Sequence, residues 1–289
     1  MTLVPDPDTG PRIVLIPRLA AGGRWRIEAM RSLREPVLFW FTQGAGRITV
    51  AGTTRGYGAH NAVFVPAGVM HGFEMTGRVF GTAAFFGRNH GLTLPAAPQH
   101  LRIRDTAAQQ ELGAILDSAQ RELEGGRPGA VRAAQHHLGL AAIWLDRQAS
   151  MAEAAQARPA PVPQPGRAPD RAPEIAGAGA TAAAARRLAE RYARLLERDY
   201  RSGMAVADFA AALGVTPTHL TRACKAASGR AAHALLQDRV LYEARRLLAE
   251  TDLPVMRVAE TLGFRSPAYF TRAFHHKVGV TPSAFRRRG

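Results

Sequence analysis

The sequence contains a single cysteine, so the chain cannot form a disulfide with itself. No run of about 20 apolar residues could span a bilayer, and no basic, apolar leader with a small-residue cleavage site opens the chain. These absences argue against a disulfide-stabilised secreted scaffold and a membrane protein, and they predict a reducing cytoplasm. At 289 residues the chain is long enough for two domains, each with its own core.

A segment rich in alanine and proline, residues 151–180, separates two parts of the chain with different patterns. Such a composition cannot form a packed core, which predicts an extended or disordered linker and a domain boundary. A surface loop inside one domain is the alternative, but an unstructured stretch of this length is unusual within a compact unit.

The last third of the chain contains one short pattern twice, as AAALGVTPTHLTRACK over residues 210–225 and as AETLGFRSPAYFTRAFH over residues 259–275. Each copy predicts a helix-turn-helix. The shared landmarks are a small residue where two helices cross, a glycine that reverses the chain, a hydroxyl N-cap and a proline in the first helical turn. They are Ala210, Gly214, Thr216 and Pro217, and Ala259, Gly263, Ser266 and Pro267. Two ordinary helical hairpins are the alternative, which the matched pairs of landmarks disfavour.

Positive charge is concentrated in the same region. Residues 181–289 contain nineteen Lys and Arg against nine Asp and Glu, which is a net charge of +10 out of +15 for the chain. A basic domain of this size attracts polyanions, and its affinity for them should fall steeply as salt rises.

From about Arg198 to its C-terminus the chain resembles the DNA-binding domain of AraC/XylS-type transcription regulators, most clearly in GFRSPAYFTRAFHHKVGVTPSAFRR over residues 263–287. The resemblance implies an all-α domain, residues 181–289, in which a bridging segment (231–248) holds two recognition helices. It implies a regulator of transcription, commonly an activator, that binds double-stranded DNA and RNA polymerase in the bacterial cytoplasm and nucleoid without a membrane partner.

The resemblance also assigns residues to the DNA. Those expected to face bases are Thr218, Thr221, Arg222, Ala268, Tyr269 and Arg272. The N-caps Thr216 and Ser266 are expected near phosphates. The alternative for Arg222 and Arg272 is a phosphate contact or an ion pair with an acid of the bridging segment. Cys224 is expected to be a small core residue, with redox sensing as the second interpretation.

The first part of the chain has short apolar runs between turn residues: RIVLI, WRIEAM, VLFWF, RITVAG, NAVFVP, HGFEM and VFGTAAFF. Many short strands predict an antiparallel sandwich or barrel. With PAGVMH at residues 66–71 similar to the second cupin motif, residues 1–104 resemble an all-β cupin-like barrel, the sensory domain commonly joined to AraC-type domains.

Metal-dependent cupin enzymes hold their ion with a His-x-His pair and a glutamate of the first cupin motif. Where that motif should fall, this sequence has RSLREP at residues 31–36. With only His71 and the nearby His60, we expect no metal, no cofactor and no enzymatic activity. A cupin-type enzyme with a DNA-binding appendage is the alternative function.

A barrel of this size can hold a small-molecule effector among its inward side chains. The candidates for binding it are Arg26, Arg31, Arg34, Trp40, Phe64 and His71. The three arginines point to an anion such as a carboxylate. The alternatives are that the aromatic residues simply pack in the core and that the arginines are solvated. A regulator without any effector is a further alternative.

Residues 105–150 predict two helices broken near residues 125–129. Their apolar positions are Leu112, Ile115, Leu116 and Ala119, then Val131, Ala134, Leu138, Ala141 and Leu145. The resemblance implies that this segment forms a homodimer interface. Packing against the chain's own barrel is the alternative.

Overall fold

The computed structural model describes residues 10–157 and 176–288. It has an N-terminal β-sheet region followed by a C-terminal helical domain, as predicted. Most of the predicted linker, residues 158–175, lies outside the described residues. Its two ends differ from the prediction, because residues 151–157 and 176–180 are helical. Within the described ranges no helix has the length and hydropathy that crossing a bilayer would need.

Within the described residues, six antiparallel strands form one sheet. They are β1 (Arg12–Leu15), β2 (Val37–Val50), β3 (Thr53–Tyr57), β4 (Asn61–Val65), β5 (His71–Phe85) and β6 (Gln99–Arg102). Pairing follows the order β1-β5-β2-β4-β6, and β3 pairs with β2. The cupin-like barrel itself stays a prediction, since strand pairing shows the sheet alone.

Three sequence-based strand assignments are wrong. WRIEAM is not a strand, because Trp25–Glu28 forms the short helix α2, after α1 at Ile16–Leu19. An ion pair from Arg24 to Glu28, four residues on, stabilises that turn. The runs VLFWF and RITVAG belong to a single strand, β2, as do HGFEM and VFGTAAFF in β5.

Gly44 and Gly46 do not end β2, although their sequence resembles a turn. The pairing of β2 with β5 shifts register between Phe41 and Ala45, so the glycines mark an irregularity inside a long bent strand. A Cβ at Gly46 would overlap the Glu74 carbonyl oxygen and lie 2.5 Å from the Tyr57 hydroxyl. Glycine is therefore required here by the close approach of the neighbouring strand.

The two faces of the sheet build separate cores. Phe39, Phe41 and Phe73 pack on one face, where the Phe39 and Phe73 ring centroids are 5.3 Å apart. Trp40 and Phe64 belong to the opposite face. This second face is covered by the helices α3 (Thr106–Gly125) and α4 (Ala130–Ala157), which confirms the two predicted helices.

The C-terminal domain consists of seven helices in the described residues. They are α5 (Ala176–Asp199), α6 (Val206–Ala212), α7 (Pro217–Ser228), α8 (Ala232–Glu250), α9 (Val255–Thr261), α10 (Pro267–Val278) and α11 (Pro282–Arg286). Helix α5 contributes Leu188, Tyr192 and Leu196 to the core, and the Tyr192 hydroxyl donates to the Ala232 carbonyl oxygen at 3.0 Å. The predicted linker therefore ends inside the first helix of this domain.

The sheet region and the helical domain are in direct contact. Arg26 forms an ion pair with Glu250 at 3.1 Å, and Ser32 donates a hydrogen bond to Glu197. The Trp25 ring lies against Tyr242, with centroids 5.7 Å apart. Because Arg26, Ser32 and Trp25 lie between β1 and β2, this loop joins the two parts of the molecule.

Candidate nucleic-acid interface and interdomain cavity

The first hairpin, formed by α6 and α7, is built as its sequence predicts. Ala210 is fully buried where the helices cross, and Gly214 takes the left-handed conformation at φ +71°. The Thr216 hydroxyl accepts a hydrogen bond from the His219 amide at 3.2 Å, and α7 then begins at Pro217. The turn between α6 and α7 is therefore determined by contacts among residues close together in the sequence.

The second hairpin, formed by α9 and α10, repeats this construction. Ala259 is fully buried, Gly263 has φ +75°, and the Ser266 hydroxyl accepts from the Tyr269 amide at 3.3 Å. The Phe264 amide donates to the Ala259 carbonyl oxygen at 3.0 Å, as Val215 does to Ala210 in the first hairpin. The two hairpins thus share their backbone hydrogen bonds as well as their caps.

The residues predicted to face bases lie on the outer sides of α7 and α10. Thr218, Arg222, Ala268, Tyr269 and Arg272 are exposed. Thr221 is half-buried. Tyr269 is 58% exposed, which is unusual for a large aromatic side chain in a packed domain. Both helices therefore have polar or aromatic groups on an exposed face.

Neither Arg222 nor Arg272 forms an ion pair within the described residues. The acids of α8 are used elsewhere, since Asp238 pairs with Arg230 and Glu243 pairs with Arg239. An acid of the bridging segment therefore does not hold Arg222 or Arg272, and that alternative is wrong. Both arginines are exposed, as a base contact or a phosphate contact requires.

Helix α8 lies between the hairpins and contains a buried ionic network. Glu243 is buried, and burial alone would raise its pKa, but a hydrogen bond from Arg246 and the charges of Arg246, Arg239 and Arg201 lower that pKa to about 2. Arg239 also binds Glu197 of α5 at 2.7 Å. This network ties α8 to α5, which fixes the element that carries both hairpins.

Cys224 is a core residue. It is fully buried in α7, and burial raises the pKa of its thiol to about 12. A thiol that stays protonated reacts slowly with oxidants, so the redox interpretation has no support.

The predicted effector residues do not come together as one set. Trp40 and Phe64 are buried against the face covered by α3 and α4, so their assignment to an inward-facing pocket with the arginines is wrong. His71 is fully buried, with Nδ1 2.9 Å from the Val69 carbonyl oxygen and its ring beside Phe39. Across residues 10–157 and 176–288, no three His, Cys, Asp or Glu side chains are grouped as a metal site requires.

The three predicted arginines do come together, at a cavity between the sheet region and the helical domain. Arg26, Arg31 and Arg34 all line this cavity, whose volume is about 570 Å³. The opposite wall is provided by α5 and α8, including Tyr242. We call this space the interdomain cavity. It could not be predicted from residues 1–104 alone, because α5 and α8 form one of its walls.

Sequence reasoning missed the helical wall of the interdomain cavity. Glu197, Arg239 and Glu243 line it and are largely buried. The one available signal was the spacing of Arg239 and Glu243, which puts an ion pair on one face of a helix. That spacing is ordinarily typical of an exposed helix face, so burial of the pair was not predictable.

The similarity to known proteins falls on the part of the chain that contains the hairpins. A family model described as a helix-turn-helix domain matches residues 209–288, which run from within α6 to beyond α11, and that part of the chain is therefore a helix-turn-helix domain. The domain is of the AraC type.

Similar regulators match this part of the chain. The HTH-type transcriptional regulator ExsA of Pseudomonas aeruginosa is 28% identical over 98 residues, which are 34% of this chain and 35% of ExsA. The transcriptional activator NphR of a Rhodococcus species is 33% identical over 98 residues, which are 34% of this chain and 29% of NphR. The matched part spans about a third of the length of these relatives.

A solved structure is similar over the same part. The DNA-binding domain of the global transcriptional factor AdpA, in complex with a target DNA, is 31% identical and covers 35% of this chain and 90% of that chain, with a TM-score of 0.32.

Proposed function

We propose that this protein is a sequence-specific transcription regulator that reads two adjacent boxes of double-stranded DNA with α7 and α10. The observation that carries the proposal is the pair of matched hairpins, each with a capped second helix and an exposed outer face. Two such helices joined by α8 suit successive major grooves on one side of a duplex, about 34 Å apart. The net charge of +10 over residues 181–289 favours the same partner.

Each recognition helix has its own readout. Arg222 and Arg272 are the residues that can bind a guanine through two hydrogen bonds, and Thr221 or Ala268 can lie against a thymine methyl group. Thr216 and Ser266 place the N-termini of α7 and α10, where backbone amides favour a phosphate. Contacts to bases would then determine sequence specificity, and contacts to phosphates would position the protein on the duplex.

We assign the regulator to activation of transcription together with RNA polymerase. The name of NphR, a transcriptional activator, describes a relative that matches the same domain. Activation fits a chain that carries two recognition helices on one helical domain.

We propose that the protein acts as a homodimer through α4. The predicted apolar face of α4 is not available, because Leu138, Ala141 and Leu145 are buried against the protein's own sheet. A second apolar face is exposed, formed by Leu140, Ile143 and Met151, each about half exposed or more. A second copy of this face would cover it.

An effector is proposed to bind in the interdomain cavity. Arg26, Arg31 and Arg34 line it, and its walls come from both parts of the molecule, so a bound ligand would contact the sheet region and α8 at once. A ligand can shift an arrangement only through a difference in affinity between its states, and a shared wall provides that difference.

The DNA proposal is tested with Arg222→Ala, Arg272→Ala and the control Arg132→Ala, which changes an exposed arginine of α4. Affinities are measured for the bound site and for single-base variants of each box. We expect each hairpin variant to lose about 1–3 kcal/mol of discrimination in one box only. Equal weakening on every sequence would instead show phosphate contacts, and no effect in either variant would contradict the proposed interface.

A further inference from the structure

The lining of the interdomain cavity is strongly basic. Nine arginines and three glutamates face it, an excess of six positive charges. The arginines are Arg12, Arg26, Arg31, Arg34, Arg88, Arg198, Arg201, Arg239 and Arg246. A partly enclosed space walled by charges of one sign concentrates ions of the opposite sign.

The three glutamates of the lining are already engaged. Glu35 pairs with Arg12, and Glu197 accepts from both Arg239 and Ser32. Glu243 pairs with Arg239, Arg246 and Arg201. Acids outside the lining neutralise further arginines, since Glu250 pairs with Arg26 and Arg246, and Asp199 pairs with Arg198. Arg31 and Arg34 have no carboxylate partner among the described residues, so positive charge remains at these two side chains.

Arg31 is the more unusual of these two residues. Its side chain is only 5% exposed, and within the described residues it makes no ion pair with a carboxylate. Its Nη1 donates to the Ile27 carbonyl oxygen at 2.8 Å. Burying a cation without a counter-ion is costly, and accordingly burial lowers the pKa of Arg31.

Two neighbouring observations point the same way. The Nε atom of Arg26 is buried and has no hydrogen-bond acceptor among the described residues. Arg34 is exposed at the cavity and makes no ion pair in the described part of the chain. Arg26 already binds Glu250 through Nη1, so its free donor is Nε. Arg31, Arg34 and this Nε offer donors that an oxyanion would satisfy.

We propose that the interdomain cavity binds a small doubly charged oxyanion, a dicarboxylate or a phosphate monoester, with one acidic group on Arg31 and Arg34. The inference rests on the proposed function, because it names the chemistry of the effector site. Two charged groups suit the excess of positive charge better than one. A long apolar acid does not suit the lining, whose aliphatic residues are limited to Leu19, Ile27 and Leu33.

The neighbouring histidine does not take part as a cation. His71 and Arg31 exchange backbone hydrogen bonds of 2.7 and 2.9 Å, and burial, followed by the charge of Arg31, lowers the pKa of His71 to about 3. The anion would therefore be held by arginine, whose charge does not change over the physiological pH range.

The test is isothermal titration of the full chain with succinate, inorganic phosphate and decanoate at constant ionic strength in a chloride buffer. We expect one saturable site per chain for succinate or phosphate, and an affinity for decanoate at least about tenfold weaker. The better of the two dianions identifies carboxylate or phosphate as the recognised group. No saturable binding of either dianion, or tighter binding of decanoate, overturns the proposal.

Three variants show where the anion binds. Arg31→Met and Arg34→Ala should each weaken the affinity at least about tenfold, and Arg132→Ala should leave it unchanged. Without ligand, Arg31→Met should not lower the melting temperature, because it removes an unpaired buried charge. Unchanged affinity in both cavity variants overturns the proposal.

The outcome is independent of the DNA proposal because the titration contains no DNA. A protein that protects two boxes but binds no dianion contradicts only this inference. A protein that binds a dianion at Arg31 but recognises no DNA sequence contradicts only the proposed function.

Discussion

Gly214 and Gly263 occupy equivalent turns but differ in their surroundings. Both have positive φ, so alanine at either position should cost about 1–2 kcal/mol of backbone strain. A Cβ at Gly214 would meet nothing within 4 Å, whereas one at Gly263 would overlap the Gly203 amide and lie 2.5 Å from the Arg201 carbonyl oxygen.

We therefore predict that Gly263→Ala destabilises the protein by about 1–3 kcal/mol more than Gly214→Ala, through overpacking. Urea unfolding of the two variants measures the difference. Equal losses of stability would show that the loop at residues 201–203 does not contact the second hairpin as described.

His71 gives stability a defined pH dependence. Burial lowers its folded pKa to about 3, while the unfolded chain takes up the proton near the ordinary histidine pKa of about 6.5. The unfolded state thus binds more protons as the pH falls, so the stabilisation is complete above about pH 6.5 and is lost progressively toward pH 3.

Unfolding free energies at pH 7.5, 6.5 and 5.5 test this prediction against His71→Gln. The original protein should lose up to about 1.4 kcal/mol per pH unit more than the variant in the lower half of that range. Parallel pH profiles would mean that folding does not lower the pKa of His71.

At the scale of single elements, the exposed face of α4 carries the prediction about assembly. Leu140→Glu places a charge in the face formed by Leu140, Ile143 and Met151, and we expect it to raise the dimer dissociation constant at least about tenfold. Val131→Glu is the matched control, because Val131 is 53% exposed and lies nine residues, or half a turn, away around the helix.

Light scattering across a concentration series measures the effect. A protein that is monomeric before substitution, or a Leu140→Glu variant that dimerises as before, would contradict the assignment of this face.

The elements of the helical domain were largely predictable, because local chemistry determines them. Thr216, Ser266 and the two turn glycines fix helix ends through contacts within a few residues. The strands were less predictable. Gly44 and Gly46 resemble a turn, and only the pairing with the neighbouring β5 shows that the strand continues through them. Helix α5 was missed because its first turns continue the alanine-rich composition of the linker.

At the scale of the whole molecule, the contact between the sheet region and the helical domain could not be predicted. Periodicity shows which face of an element is apolar but not which distant element covers it. Met30 and Met70 of the sheet region pack into the core of the helical domain, and Arg26 pairs with Glu250 more than two hundred residues away. The arginines of the candidate effector site were identified from sequence, and their partners were not.

The measurement that tests the central claim most directly is footprinting of the purified protein on sheared DNA of its own organism, at physiological salt and with nonspecific competitor. If α7 and α10 read two boxes from one side of the duplex, a few sites should show two protected segments about one helical turn apart. Diffuse protection that disappears as salt rises, without paired boxes, would contradict the claim.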